Sequence, residues 1–394
     1  MKKKWMKKAL AATLSVMMIG SMAACGTAET EITEEPAAEG VTTEAPAAAA
    51  PAEEAAEETT AEAPAADLKA VYDGIEFGTN AFVSAETLPE LKADGEYTIG
   101  CAMTSVSTGW FKALYDNLNE KLKEAGVNVL LVECNDDANE QVNQLENFIA
   151  QGVDGIIINP ASPQETATSA LSDLCEAGIP VVAVDVPPEE GADYLAASTV
   201  DSYELGLLIG KELGRRLLES NPEGEIPYGM IGGIDGDANA ALRNQGARDG
   251  IAEADTDGRI KETAFLYSGG YSEEVGLETA QNMLAANPDL KCIVGTCDAH
   301  IVGAASAAEQ LGLEDQLIMG AVDGSKAALE IMKDGGPIVA IGLNSPYEVG
   351  ENAARVLLGY LNEGAVPEAK RLNSEPTLVT PENVDDYYNP DSPF

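Results

Sequence analysis

From Glu96 onward the sequence alternates short, nearly unbroken apolar runs with longer stretches of helical period, and this pattern constrains the fold more than any other feature. Runs that read as strands lie at 97–103, 127–132, 155–159, 180–185, 194–197, 228–231, 262–266, 292–295, 317–322 and 338–341. Between them, segments such as 110–125, 140–151 and 271–286 place apolar residues at helical spacing. A strand that is apolar on nearly every residue must be covered on both faces, which is the situation of a parallel sheet with helices on either side. Ten such runs are too many for one small sheet, so the pattern predicts an α/β protein of two doubly wound lobes. In sheets of this kind ligands bind beyond the carboxyl ends of the strands, and polar residues there are the first candidates for function.

The first run is followed by Thr104-Ser105-Val106-Ser107-Thr108-Gly109-Trp110-Phe111. Two readings compete for Trp110 and Phe111: rings that stack on the apolar face of a sugar or base, or core residues at a helix start. The 180–185 run ends in Asp185, an acceptor for ligand hydroxyls or the cap of a local turn. Asp323 repeats the arrangement ahead of Gly324-Ser325-Lys326, where helix capping is the rival role. The glycine-rich segment 232–237 lacks the spacing of a dinucleotide or phosphate loop and reads as a loop that lets Arg243 approach. Arg243 offers a rigid fork of donors, or else is a solvated surface residue.

Enzyme signatures are missing: there is no GxSxG, no HExxH, and no supported Cys–His pair. His300, the single histidine, reads as a helix-start or surface residue. No metal site and no cofactor motif is found, because Cys292 and Cys297 are not at zinc spacing. Five of the six cysteines sit in strand-like or helix-like contexts and read as small buried hydrophobes.

The net charge of −44 excludes nucleic acid as a partner. Twelve acidic residues and no basic one fall in residues 26–67, a run of Ala, Glu, Pro and Thr that cannot bury a core and reads as a disordered tether. Ahead of it, Lys2, Lys3, Lys4, Lys7 and Lys8 precede an apolar stretch at 9–19, too short to remain across a bilayer. Small residues then lead into Ala23-Ala24-Cys25-Gly26, which resembles the lipobox of bacterial lipoproteins. The resemblance implies a signal peptide at 1–24, cleavage before Cys25 and acylation of its sulfur, so that the membrane is reached through the lipid; an ordinary signal peptide with an incidental cysteine is the competing reading. Residues 68–95 form a transition to which the sequence assigns no role.

Beyond about Tyr97 the chain resembles the ribose- and galactose-type periplasmic sugar-binding proteins. The resemblance is carried by Ala138-Asn139-Glu140-Gln141 ahead of Gln144-Leu145-Glu146-Asn147-Phe148-Ile149. It continues through Gly152-Val153-Asp154-Gly155-Ile156-Ile157-Ile158-Asn159-Pro160 and Ala177-Gly178-Ile179-Pro180-Val181-Val182-Ala183-Val184-Asp185. It closes with Leu378-Val379-Thr380-Pro381-Glu382-Asn383-Val384. It implies the type I periplasmic binding protein fold: two Rossmann-like lobes with parallel sheets joined by a three-strand hinge. The expected lobes are 96–199 plus 345–371 and 200–344 plus 372–394, with crossings near 198–201, 344–346 and Leu372.

The same resemblance implies a site between the lobes. Trp110 and Phe111 match the family's first aromatic pair and Tyr271 its third ring. Asp185, Arg243, Asp323 and Asn344 match the polar positions. Three departures stand out: Val186 in place of an arginine, Cys297 in place of an amide before Asp298, and Thr108 in place of an asparagine in the first loop. They argue against ribose held in the standard way. The function implied is that of a monomeric, non-enzymatic binding subunit. It captures a small sugar-like solute and delivers it to the permease and ATPase subunits of an ABC importer. An extracytoplasmic receptor that signals to a sensor kinase or chemoreceptor is the alternative.

Overall fold

The computed structural model describes residues 67–164 and 170–394. The expected signal peptide, the expected lipidation site Cys25 and the expected tether up to residue 66 lie outside the described residues. In chain order the elements are α1 (Leu68–Asp73), β1 (Asn80–Val83), β2 (Thr98–Met103), α2 (Gly109–Glu124), β3 (Asn128–Glu133), α3 (Ala138–Gln151), β4 (Gly155–Ile158), α4 (Ala170–Glu176), β5 (Val181–Val184) and β6 (Ala197–Val200). They continue as α5 (Ser202–Ser220), β7 (Ile226–Ile231), α6 (Ala238–Ala254), β8 (Ile260–Leu266), α7 (Glu273–Ala286), β9 (Cys292–Gly295), α8 (Asp298–Leu311), β10 (Ile318–Asp323), α9 (Lys326–Lys333), β11 (Ile338–Leu343), α10 (Pro346–Glu363), β12 (Arg371–Ser374) and β13 (Leu378–Val379). A single 3₁₀ turn, Val384–Asp386, follows.

The strands form two sheets. One has the order β1-β12-β6-β5-β4-β2-β3, every pairing parallel. The other has the order β13-β11-β10-β9-β7-β8, parallel except for the short edge strand β13. β4, β5 and β9 are buried at every position, as strands covered on both faces must be. In the first sheet, Ile99, Cys101, Val182 and Val184 pack with α2 and α10 on one face. On the other face, Ile156, Ile158, Val181 and Ala183 pack with α3 and α4. The second sheet is flanked in the same way. The chain is therefore an α/β protein of two doubly wound lobes.

Six of the helices begin on Ser, Thr or Asp side-chain caps placed after a strand. Thr108, Asp201, Asp237, Ser272, Ser325 and Ser345 each accept a backbone N–H of the first turn. Each cap supplies an oxygen to a donor that the helix itself cannot satisfy, so strand, loop and helix start at a sharply defined point.

The chain passes between sheets three times. β6 belongs to the first sheet, and α5 packs on β10 and β11 of the second. After β11, Ser345 caps α10, which packs on β4, β5 and β6 of the first sheet. After β12 the chain returns to form β13. Leu372, expected at the third crossing and at the start of the second lobe, instead lies inside β12, paired with β1 and β6. The crossing comes at 375–377. The cause is visible in the segment left unassigned by sequence: β1, from residues 68–95, adds an outer strand that turns 371–374 into an interior one. Tyr72 of α1 is buried against the same lobe and its hydroxyl accepts the Val181 N–H at 3.2 Å. The expected strand at 194–197 is displaced to β6, because Tyr194, Leu195 and Ala196 are buried just ahead of the paired residues.

Candidate functional site

A cavity of about 140 Å³ opens at the carboxyl ends of both sheets. Its wall contains all ten residues singled out from sequence: Thr108, Trp110, Phe111, Asp185, Arg243, Tyr271, Cys297, Asp298, Asp323 and Asn344. Residues separated by more than 200 positions in the chain thus meet in one place, because each follows the carboxyl end of a strand.

The first lobe supplies rings and one carboxylate. Thr108 caps α2 through a bond from Phe111 N–H to its Oγ1 at 3.3 Å. Trp110, one residue into that helix, is both core and wall: it packs in the apolar cluster of the lobe and lines the cavity. Its Nε1–H donates to the Asn344 carbonyl at 2.8 Å, so the indole presents no free donor. Phe111 meets it edge-on, with centroids 5.3 Å apart, and stacks on Tyr115. Asp185 ends β5 with φ of 65°, a left-handed conformation uncommon for an aspartate and one to be read as a clue to function. Thr199 Oγ1 donates to its carbonyl at 2.7 Å, holding the turn. Its carboxylate accepts a long bond, 3.4 Å, from Asn239 Nδ2 of the opposite lobe, and the Asn159 amide of its own lobe also favours the charged form. Burial pushes this carboxyl up to about 6, opposed by Arg243 and reinforced by Asp237.

The second lobe supplies a tied network. Arg243 is largely buried rather than solvated. Its Nη1 donates to the Thr296 carbonyl at 3.2 Å and lies 3.6 Å from Asp323 Oδ1, while its buried Nε finds no partner in the protein. The position of Arg243 is set by backbone contact between α5 and α6. A Cβ placed on Gly206 would meet the Arg243 carbonyl at 2.3 Å, and one on Gly246 would meet the Tyr203 carbonyl at 2.1 Å. Only glycine permits this approach.

Asp323 ends β10, again at positive φ, 129°. It does not cap α9; Ser325 does. Its Oδ1 accepts Asn344 Nδ2–H at 3.1 Å. Burial raises its carboxyl, Arg243 opposes the rise, and neighbouring Asp298 adds to it. Asp298 in turn accepts the N–H groups of Gly324 and Ser325, which fixes the turn after β10. Cys297 is a buried thiol at the α8 N-cap position and makes no capping bond.

Tyr271 donates its hydroxyl to Asp237 at 2.6 Å and lies over His300, with centroids 5.6 Å apart. His300 is fully buried, contrary to the surface reading. Its Nε2 sits 2.8 Å from the Gly270 carbonyl and Nδ1 3.3 Å from Thr296 Oγ1, so it props the tyrosine from behind. The glycine loop serves Tyr271 and Thr296 more than Arg243: a Cβ on Gly233 would come within 2.9 Å of Thr296 Oγ1 and 3.2 Å of the Tyr271 ring.

Sequence reasoning missed, among other wall residues of the cavity, Asp237, Asn239, Thr296 and Phe394. Asp237 carried a usable signal, an aspartate ahead of a helical run just beyond a strand. Asn239 and Thr296 follow from helix phase and strand register. Phe394 had none, since only the folded tail brings its ring beside Gly109. All five described cysteines are buried and unpaired.

Residues 99–365 match a family described as a periplasmic binding protein domain. The chain is 28% identical over 240 residues to the ribose import binding protein RbsB of Bacillus subtilis, covering 61% of this chain and 73% of that protein. It is 24% identical over 275 residues to the D-apiose import binding protein of Actinobacillus succinogenes, covering 70% and 85%. An ABC transporter solute binding protein of Mycobacterium smegmatis, solved with bound glycerol, superposes with a TM-score of 0.66 at 26% identity, covering 76% of this chain and 99% of that one.

Proposed function

Because the chain belongs to the periplasmic binding protein family, whose members are extracytoplasmic solute-binding proteins and not enzymes, we propose that it captures a small sugar-like solute in the cleft between its lobes. The observation that carries this reading is a cavity walled by rings and carboxylates from both lobes. At about 140 Å³ it is smaller than the ~300–1,000 Å³ typical of drug-sized ligands, which suits a solute of monosaccharide size. Trp110, Phe111 and Tyr271 contact the ring faces of the solute. Asp185, Asp323, Arg243 and Asn344 pair with its polar groups, while Thr108, Cys297 and Asp298 shape the remaining wall. The three crossings act as the hinge, and closure of the lobes buries the solute.

The importer role extends the same reading. The chain, a monomer, is held at the outer face of the membrane by the acylated Cys25 and delivers its solute to an ABC permease and its ATPase. Relatives named as ribose and apiose import binding proteins support this assignment. Among the described residues no helix is long and apolar enough to cross a membrane.

The test is a thermal-shift screen against pentoses, hexoses, polyols and nucleosides. A true ligand at one hundred times its Kd stabilises by about 2.7 kcal/mol, with saturation and no turnover. Absence of a shift with every sugar-like compound would overturn the reading.

A further inference from the structure

The cavity wall carries four carboxylates, Asp185, Asp237, Asp298 and Asp323, against one guanidinium, Arg243. Lys326 stands in the adjoining groove, but its ammonium is bound to the Pro390 carbonyl. Several donors of the wall are already engaged. Asn344 Nδ2 donates to Asp323, Asn239 Nδ2 to Asp185, Tyr271 OH to Asp237 and Trp110 Nε1 to the Asn344 carbonyl, each amide keeping a second N–H. Arg243 keeps N–H groups beyond the one given to Thr296, among them a buried Nε–H without a partner. The unspent acceptors belong above all to Asp185 and Asp323, which line the same cavity from the two lobes. An ionised carboxylate accepts at about four lone-pair positions, and Asp185 fills one of them with a long bond.

A wall of this kind calls for a ligand rich in donors and carrying positive charge, with one acceptor oxygen for Arg243. The rings fit the same demand. With their polar atoms engaged elsewhere, Trp110 and Tyr271 turn to the ligand as π faces, which attract cations. Resting on the reading of the cleft as a solute site, we propose that the solute is an aminated sugar or cyclitol whose ammonium lies between Asp185 and Asp323. The ammonium supplies three N–H donors and the missing counter-charge, and a hydroxyl or ring oxygen of the same molecule accepts from Arg243.

The test is calorimetric titration of the full-length chain near neutral pH with D-glucosamine, D-galactosamine and D-mannosamine, each beside its neutral parent hexose and its N-acetyl derivative. At least one amine is expected to bind roughly tenfold or more tightly than its parent, about 1.4 kcal/mol, with loss of binding on N-acetylation. A parent hexose that binds as well as its amine would overturn the proposal and leave the solute-binding reading standing. No binding by any member would also overturn the proposal, while the solute-binding reading is decided by the wider thermal-shift screen. Asp185→Asn, checked for folding by its unfolding midpoint, is expected to remove the preference for the amine. Retention of that preference in the folded variant would also overturn the proposal.

Discussion

Asp185 and Asp323 occupy the same place in the two lobes, at the carboxyl end of an inner parallel strand and at positive φ, yet their surroundings differ. Asp323 lies within a network: Asn344 donates to it, Arg243 stands 3.6 Å away, and Asp298 fixes the turn that follows. Asp185 is held more loosely, by a long bond from Asn239 of the opposite lobe and by the nearby Asn159 amide of its own. The second lobe thus carries a polar wall organised before any ligand arrives. The first lobe carries an apolar wall with one loosely held charge. A ligand gains orientation from the first kind of wall, whose groups need no rearrangement, and gains lobe closure from the second, whose charge is completed only when the cleft is filled.

The contrast breaks most severely at the glycines that fix Arg243. In Gly246→Ala the new Cβ would meet the Tyr203 carbonyl at 2.1 Å, and α5 and α6 must separate. Backbone atoms cannot rotate away, so the cost falls at the upper end for overpacking, about 3 kcal/mol of unfolding free energy. Urea unfolding checks this, and a loss below about 1 kcal/mol would show that the helix contact does not organise the wall. Arg243→Ala is the next largest in effect. It removes donors to the ligand and the only cation beside Asp323, so affinity for the ligand falls on the order of 100-fold. Titration with the ligand found in the screen measures it. A loss no greater than that of Phe111→Ala would erase the distinction between the two walls.

Much of this arrangement was legible because it is written locally. Val181 to Val184 are buried on both faces, so their run of apolar residues marks a strand unaided, and the aspartate after it marks a site. The strands that escaped detection lack this signature. β12 is Arg371-Leu372-Asn373-Ser374, mostly polar, and it is interior only because β1 covers it. β1 itself is exposed at alternate positions and β13 is two residues long. Their identity lies in pairing between distant segments, which no local pattern encodes. The site divides likewise. Most of the residues found follow a strand end, while Thr296 and Asp237 at such ends, Asn239, set by the phase of α6, and Phe394, set by the path of the tail, were not found.

Asp185→Asn separates stability from binding. The folded carboxyl is raised to about 6, above the ~3.9 of an unfolded aspartate. The folded state therefore keeps a proton that the unfolded chain has released, and the stability so gained is full below about pH 4 and lost as pH rises through 6. The groups facing the carboxylate are Arg243 and the Asn159 amide, which oppose the shift, and Asp237, which adds to it. Asparagine removes the buried charge, keeps an acceptor and tolerates positive φ. Without ligand, the variant is expected to be more stable than the parent by about 1–2 kcal/mol at pH 8 and equal to it near pH 4. Unfolding midpoints across that range decide the matter, and parallel curves for the two proteins would mean that Asp185 is not a strained charge.

The smallest effect expected is at Phe394, and it bears on how the lobes meet. The tail leaves the second lobe where Lys326 holds the Pro390 carbonyl, and Ser392 Oγ lies 3.1 Å from Tyr347 Oη on α10 of the first lobe. The ring of Phe394 then packs beside Gly109 and against the first lobe's core cluster while lining the cavity. It thus ties the loosely organised wall to the organised one without being a strand of the hinge. Its half-buried ring contributes less than a core aromatic, so Phe394→Ala is expected to weaken ligand binding severalfold, about 1 kcal/mol, chiefly through faster dissociation. Stopped-flow release of the bound ligand measures this directly. If the dissociation rate is unchanged and only association slows, the tail guides entry instead of holding the closed lobes, and the first wall is completed by the ligand alone.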